Sequence, residues 1–367
     1  MINIHHAFFH REHVAEAELC AIYSDTTWME GDALQQLRTM AQLPDMRLAV
    51  GLPDLHPGKG CPVGAAFWST DTFYPFLIGN DIGCGMAFWQ TSLPLAKAKV
   101  SKWLRKLDLE SEGDPLGTVG GGNHFAELQQ LDTLDNAELF AQAGLRKEAF
   151  QLLVHSGSRG LGESILREHT AQYGNRGLKA NTPEAAAYLH AHDAAVRWAE
   201  HNRSCIKDRF LDALGNPEHV KVSEVCHNAL TPQVYNGQTG WLHRKGAAPT
   251  DQGLVMIPGS RGALSYLVKP LAGSESAWSL AHGAGRKWTR SESKGRLEKK
   301  YRPEQLQRTA LGGQVICEHK GLIYEEAPEA YKAVDAVVQT LVETGLVQLV
   351  ARFRPVITYK TRRSVRR

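Results

Sequence analysis

Asp81, Cys84, His124, His155 and His227 stand in the segments GNDIGCG, GGGNHF, HSGSRGLG and CHNAL, each beside glycine, asparagine or another small residue. One carboxylate, one thiolate and three imidazoles can hold one metal ion, or two that share a ligand, since a thiolate can bridge. Asp81 and Cys84 lie close together in a Gly-rich turn and can point at one ion, whereas the histidines arrive from distant parts of the chain. By ligand softness alone this donor set favours Zn²⁺. His282, in AHGAGR, adds an imidazole beside two glycines and Arg286. That arrangement suits a nucleophile at a phosphorus centre held by backbone amides and a guanidinium. Glycine costs conformational entropy on folding, so its clustering at all these positions points to close approach of backbone to something bound.

Two familiar phosphate loops are excluded. In GLPDLHPGKG the spacing from Gly51 to Gly58 is too long for a P-loop, and Gly60 follows Lys59 where Ser or Thr is needed. GTVGGGNHF fails the dinucleotide pattern because Phe125 stands where its last glycine belongs.

The elements that must position these groups read as α+β. The chain has 367 residues, of which 43% are hydrophobic, enough to bury a large core. From Met46 to Gln90, short apolar runs broken by Gly and Pro (RLAVGLP, PVGAAFW, PFLIGND) read as strands and tight loops. Residues 164–214 turn Ala-rich and charged with helical spacing, and Thr182-Pro183 supplies an N-cap and first-turn signal. This segment is a helical excursion from a strand-rich core. Strands return near LVMIPG, and APEAYKAVDAVVQTLVET reads as the last helix. With no linker to divide it, residues 1–367 are expected to form a single domain.

The six cysteines form no CxxC pair, and there is neither a long apolar run nor a secretion signal, so a cytoplasmic protein with no membrane partner is expected. Net charge is only +3, but basic residues crowd two runs, Arg286 to Arg302 and Arg352 to Arg367. Either run suits an anionic partner.

Taken in order, PDLHPGKG, GNDIGCG, GGGNHFAE, HSGSRGLG, HNAL, HRKGAAP, IPGSRG, HGAGR, EEAPEAYK and Lys360 resemble the motif series of the RtcB family of RNA ligases, from about Pro53 to Lys360. The resemblance implies joining of RNA that ends in a 3′-phosphate or 2′,3′-cyclic phosphate to RNA with a 5′-hydroxyl, using GTP and two Mn²⁺ ions through a guanylylated histidine. It implies that Asp81, Cys84 and His124 hold one ion, and that Cys84, His155 and His227 hold the other with Cys84 shared. His282 would be the nucleophile. The nucleotide site would comprise Asn123, His124, Phe125, Ala126, Glu127, His227, Asn228, Pro258, Gly259, Ser260, Arg261, Ser265, His282, Gly283, Ala284, Gly285 and Lys360. Mn²⁺ then replaces the Zn²⁺ expected from ligand softness. The basic runs become a cationic track for RNA, and Trp278 and Trp288, which flank HGAGR, become candidates for base stacking or for packing.

Two residues depart from the family pattern, Arg261 where Met is usual and Ala281 where Ser or Cys precedes the nucleophile. They bear on substrate choice and nucleotide affinity, as in a divergent bacterial paralogue that repairs structured RNA such as ribosomal or transfer RNA. An archease-like activator is a candidate partner. Competing readings are a metal-dependent RNA phosphoesterase, which would need the metals but not His282, and an RNA-binding protein with structural metals.

Overall fold

The computed structural model describes residues 8–111, 113–271 and 273–362. It is an α+β structure built on two large sheets. A six-stranded sheet runs in the order Phe9–Val14, Ala17–Ile22, Met46–His56, Val63–Ser69, Gln238–Lys245, Asn228–Tyr235. An eight-stranded sheet runs His219–Cys226, Gly85–Pro94, Ala149–Ser156, Phe125–Leu134, Val347–Thr361, Ser265–Pro270, Val255–Pro258, with Gln314–Cys317 added in parallel to Val347–Thr361. A core of Val50, Trp68 and Leu242 from the first sheet and Ile257, Tyr266 and Val268 from the second, with Val337 and Leu341 of helix Val334–Glu343, joins them.

Period-two alternation sorts the strands of the larger sheet. Ala87 and Trp89 join Leu128, Leu152 and Val154 against Ile206 and Phe210 of the long helix Pro183–Ala213, while Met86 and Phe88 enter a separate cluster with Leu153 and Phe353. The helical excursion is thus two helices, Gly160–Tyr173 and Pro183–Ala213, and the Thr182 side chain caps the second by accepting from the Ala185 amide at 3.2 Å.

The long helix also reaches the loops at the sheet's end. Arg203 is fully buried; it donates from Nη1 to the carbonyls of Gly83 (2.8 Å) and Ser156 (2.9 Å) and from Nε to Glu224 (3.0 Å). Asn202 accepts from the Gly117 amide at 2.7 Å and donates to the Thr118 carbonyl and Ser156 Oγ. Breaking a buried, hydrogen-bonded ion pair of this kind costs about 3–5 kcal/mol. The helix is therefore the brace for the segments that carry Cys84 and His155.

The last helix differs from its sequence reading. It begins at Val334; Pro328–Ala330 forms a separate 3₁₀ turn, and Tyr331 makes an antiparallel bridge to Arg286. The bridge and the Lys332 amide donating to the Gly285 carbonyl (3.0 Å) tie these residues to the HGAGR turn, and tertiary pairing overrides the helical pattern. In the basic tail, two arginines have protein partners. Arg352 pairs with Asp135 at 2.8 Å, and Arg362 bonds the carbonyls of Leu104 and Leu107 and the Glu318 carboxylate. These arginines are engaged within the protein, and residues 363–367 lie outside the described residues.

Candidate active site

Antiparallel neighbours in a sheet run in opposite directions, so the C-terminal end of one strand lies beside the N-terminal end of the next. Four adjacent strands use this to gather residues far apart in sequence. His227 follows the end of His219–Cys226, Cys84 precedes Gly85–Pro94, His155 lies at the end of Ala149–Ser156, and His124 precedes Phe125–Leu134. The register agrees: Gly85 pairs with both Cys226 and Ser156, and His155 with Met86 and Phe125.

The donors meet closely. Cys84 Sγ lies 3.3 Å from His124 Nε2 and 3.3 Å from His155 Nε2, His155 Nε2 lies 3.3 Å from His227 Nε2, and His124 Nε2 lies 2.7 Å from Asp81 Oδ2. Cys84, His124 and His155 are buried and offer three ligand atoms within 4.8 Å of one another. Burial, helped by neighbouring imidazoles, pushes His155 and His227 well below the usual histidine range, which keeps both neutral with lone pairs available for a cation. Burial alone would raise Asp81, but the His124 ring and its hydrogen bond outweigh it and hold the carboxyl below its ordinary value. Burial and the Asp81 charge push the Cys84 thiol well up, an order that a bound divalent ion inverts because it deprotonates the thiol.

These residues fit a metal. His155 Nε2 stands 3.3 Å from both Cys84 Sγ and His227 Nε2, and lone-pair-bearing nitrogens and a thiol crowded this closely suit a shared cation. With Sγ, imidazole nitrogen and a carboxylate converging, Asp81, Cys84, His124, His155 and His227 could hold one ion or a pair.

His282 sits on the far side of His227, its ring centroid 4.8 Å away. It follows the short strand Ser279–Ala281, which pairs with Ala247–Pro249. The fully buried Asp54 fixes it: Oδ2 accepts from His282 Nδ1 at 2.7 Å and from the His282 amide at 3.2 Å. With Nδ1 donating to this carboxylate, Nε2 is the ring nitrogen available to act as nucleophile. Gly285 makes this approach possible. At φ +72° a side chain would be strained, and a Cβ would stand 2.3 Å from the Asp54 carbonyl oxygen. This glycine therefore serves close packing on the protein itself rather than on a ligand.

A cavity of about 1200 Å³ opens over the cluster. Glu127 lies in its wall, hydrogen-bonded by Gln129 (2.7 Å) and Thr358 (2.5 Å), and burial pushes its carboxyl up to about 7. On the strand paired with the one bearing Glu127, Lys360 donates to the Gly122 carbonyl at 2.6 Å, and burial lowers its amine to about 8.

Comparison with known families supplies what geometry alone leaves open. The family described as tRNA-splicing ligase RtcB matches residues 36–111 and 97–361. The chain belongs to the RtcB family. It is 51% identical to an RNA-splicing ligase RtcB2 of Escherichia coli, over 92% of this chain and 94% of that one. It is 28% identical to an RNA-splicing ligase RtcB1 of the same species, over 90% and 95%. With a tRNA-splicing ligase RtcB of Thermococcus kodakarensis the identity is 29%, over 91% and 93%.

Against the RtcB motifs, the structure brings most of the expected residues to one cavity. All five metal-ligand candidates, Asp81, Cys84, His124, His155 and His227, line it together with His282, Asn123, Phe125, Glu127, Asn228, Lys360 and the segments 258–261 and 283–285. Ala126 and Ser265 do not line it. Alternation turns Ala126 into the apolar core, and Ser265 is buried, accepting from Gln129 Nε2 at 2.9 Å. Arg286 also departs from its expected role, since its donors go to the Trp288 and Glu325 carbonyls, Glu326 and Tyr331. Trp278 packs on the core and on Tyr235, whereas Trp288 lines the cavity between the Lys287 amine and the Arg296 guanidinium, 5.0 and 4.8 Å from its ring. Ala281 is buried in strand pairing with Ala247.

Asp54, Lys245 and Arg159, which the sequence does not single out, also shape this site, together with Arg290 of the basic run. Asp54 has a signal, a charged residue inside the otherwise apolar run LAVGLPDLH. Arg159 adopts φ 58°, a left-handed conformation costly for a non-glycine residue, which in the sequence is an arginine between serine and glycine like many others.

Proposed function

We propose that this chain is an RNA ligase that joins 3′-phosphate or 2′,3′-cyclic phosphate ends to 5′-hydroxyl ends, with GTP as the activating nucleotide and His282 as the carrier of GMP. The observation that carries the reading is His282, oriented by Asp54 through Nδ1, with its ring centroid 4.8 Å from that of His227, a candidate metal ligand. A metal-dependent phosphoesterase would need the metals but not a histidine that carries GMP. Two Mn²⁺ ions, one on Asp81, Cys84 and His124 and one on Cys84, His155 and His227, would supply charge to neutralise phosphates and stabilise attacking and leaving oxygens.

His282 Nε2 attacks the α-phosphorus of GTP; an N–P bond forms and the bond to pyrophosphate breaks. Asp54 keeps the Nδ1 proton and balances the cationic ring. A 2′,3′-cyclic end first adds water and its P–O2′ bond breaks, leaving a 3′-phosphate and a 2′-hydroxyl; an oxygen of the 3′-phosphate then attacks the guanylyl phosphorus, the N–P bond breaks and His282 is freed. The 5′-hydroxyl attacks the activated 3′-phosphorus, its proton passes to solvent, and the bridging P–O bond breaks to release GMP. A dianionic phosphate is a poor electrophile, and conversion to a diphosphate with GMP as leaving group is what makes the joining feasible. Glu127 and Lys360 provide an acceptor and a donor for the base, while Lys245, Arg159 and Arg290 provide cations for phosphate. We read residues 1–367 as one ligase unit acting in the cytoplasm on structured RNA. Its cysteines among the described residues are all unpaired, and no described helix is long and apolar enough to cross a membrane.

RNA with a 3′-phosphate, RNA with a 5′-hydroxyl, GTP and Mn²⁺ make the direct assay. A joined product that requires GTP supports the ligase; removal of the phosphate without joining favours the phosphoesterase.

Asp54→Asn is expected to slow GMP transfer to His282 by about 10²–10⁴-fold, as loss of a carboxylate that sets a histidine tautomer does elsewhere. Single-turnover formation of labelled protein measures it, and a rate equal to wild type would strip Asp54 of this role.

The RNA track is expected along Lys287, Trp288 and Arg290 at the cavity wall and Arg296 beside Trp288. Replacing Lys287 and Arg296 with alanine should weaken RNA binding and flatten the salt dependence by about 0.7 in log–log slope for each phosphate that is no longer neutralised. Anisotropy titrations across a salt series measure this slope. If it does not change, the run is a solvated face.

A further inference from the structure

EEAPEAYK is a motif to which the chemistry above assigns no task, and its Glu326 occupies an unusual place. The residue is 4% exposed and ends the helix Lys320–Glu325. Its Oε1 accepts from Arg286 Nη1 at 3.1 Å and lies 3.5 Å from Arg290 Nε, and its other oxygen accepts from the Tyr331 hydroxyl. Burial alone would raise this carboxyl, yet Lys360, Arg286, the Tyr331 hydrogen bond and Arg290 together hold it below its ordinary value. One buried anion thus faces cations from three segments: the HGAGR turn, the helix Arg290–Leu297 and the strand Val347–Thr361.

The two arginines differ in what they have left to offer. Arg286 is bound on every nitrogen by protein acceptors. Arg290 is 55% exposed, and among the described residues Glu326 is its ion-pair partner. The capping box of Thr289 and Glu292 fixes it at the first position of its helix. Its guanidinium stands over Gly122, where a Cβ would come within 2.4 Å of Nη2. That places it at the cavity wall beside the carbonyl that Lys360 binds.

We propose that Glu326 is a positioning residue that holds Arg290 in line for the phosphate at the RNA 3′ end, serving as a stand-in anion within the cation cluster. The proposal rests on the ligase reading. Two consequences oppose each other. Replacing the carboxylate by an isosteric amide removes a negative charge from a site built for a polyanion, so RNA should bind more tightly. The same change frees the guanidinium from its fixed place, and loss of alignment slows a reaction that depends on orientation.

The test is Glu326→Gln in two assays. Anisotropy with 3′-phosphate RNA in the absence of GTP should show affinity raised about threefold, and steady-state joining should show kcat lowered about tenfold. A merely structural role would not raise affinity while lowering turnover. In the Arg290→Ala background the same substitution should lower kcat no further, since neighbours acting through one interaction are not additive. If the amide variant does not fold, Glu326→Asp carries the test: wild-type RNA affinity with reduced kcat, and no added loss with Arg290→Ala. RNA affinity unchanged or weakened in Glu326→Gln, or a kcat loss that adds to that of Arg290→Ala, overturns the proposal. A wild-type protein that joins no RNA would instead overturn the ligase reading, and the affinity comparison would still decide the case of Glu326.

Discussion

His282→Ala is expected to lose GTP-dependent joining of 3′-phosphate and 5′-hydroxyl RNA by about 10⁴-fold or more, as removal of a covalent nucleophile does. The loss should be confined to activation. Given RNA whose 3′-phosphate already carries GMP, the same variant should still seal it with Mn²⁺, because the residues proposed to hold metal and RNA are untouched and the last step needs no carrier. His282 is held by Asp54 from one side, with its ring against His227 on the other, so alanine leaves the neighbouring ligands in place. Joining of ordinary ends by His282→Ala at the wild-type rate would remove this residue as nucleophile.

Cys84→Ala is expected to fail both assays and to lose more metal than replacement of any single histidine. Its Sγ lies 3.3 Å from the Nε2 of both His124 and His155, central to the donor set, so a shared thiolate would serve two ions where each histidine serves one. Joining should fall by about 10³-fold or more, the scale of losing metal stabilisation of the transition state. Metal content by mass spectrometry reads the difference directly. Small and equal losses in Cys84→Ala and His155→Ala would exclude a shared ligand.

The donor set is legible in the sequence because cysteine, histidine and aspartate in Gly-rich turns have a narrow range of chemical uses. Their convergence is not, since it depends on which strands become neighbours, and His227 and Cys84 meet only because His219–Cys226 pairs with Gly85–Pro94. Local signals succeed where local physics governs: Thr182 caps the long helix as its Thr-Pro pair predicts. They fail where tertiary pairing wins, as at Tyr331, where bridging to Arg286 displaces the helix start to Val334. Asp54 and Glu326 escape sequence reasoning for a related reason. A buried carboxylate gains its role from the cation or imidazole it faces, His282 in one case and Arg286 with Arg290 in the other, and those partners are remote in sequence. Arg286 is legible as a cation but not as one already occupied by protein acceptors.

Incubation of the protein with α-labelled GTP and Mn²⁺, followed by mapping of any acid-labile label, tests the central claim most directly. The account predicts one guanylyl group bonded to His282, absent from His282→Ala. A protein that joins RNA with GTP while carrying its label on another residue, or one that carries no label at all, would contradict it.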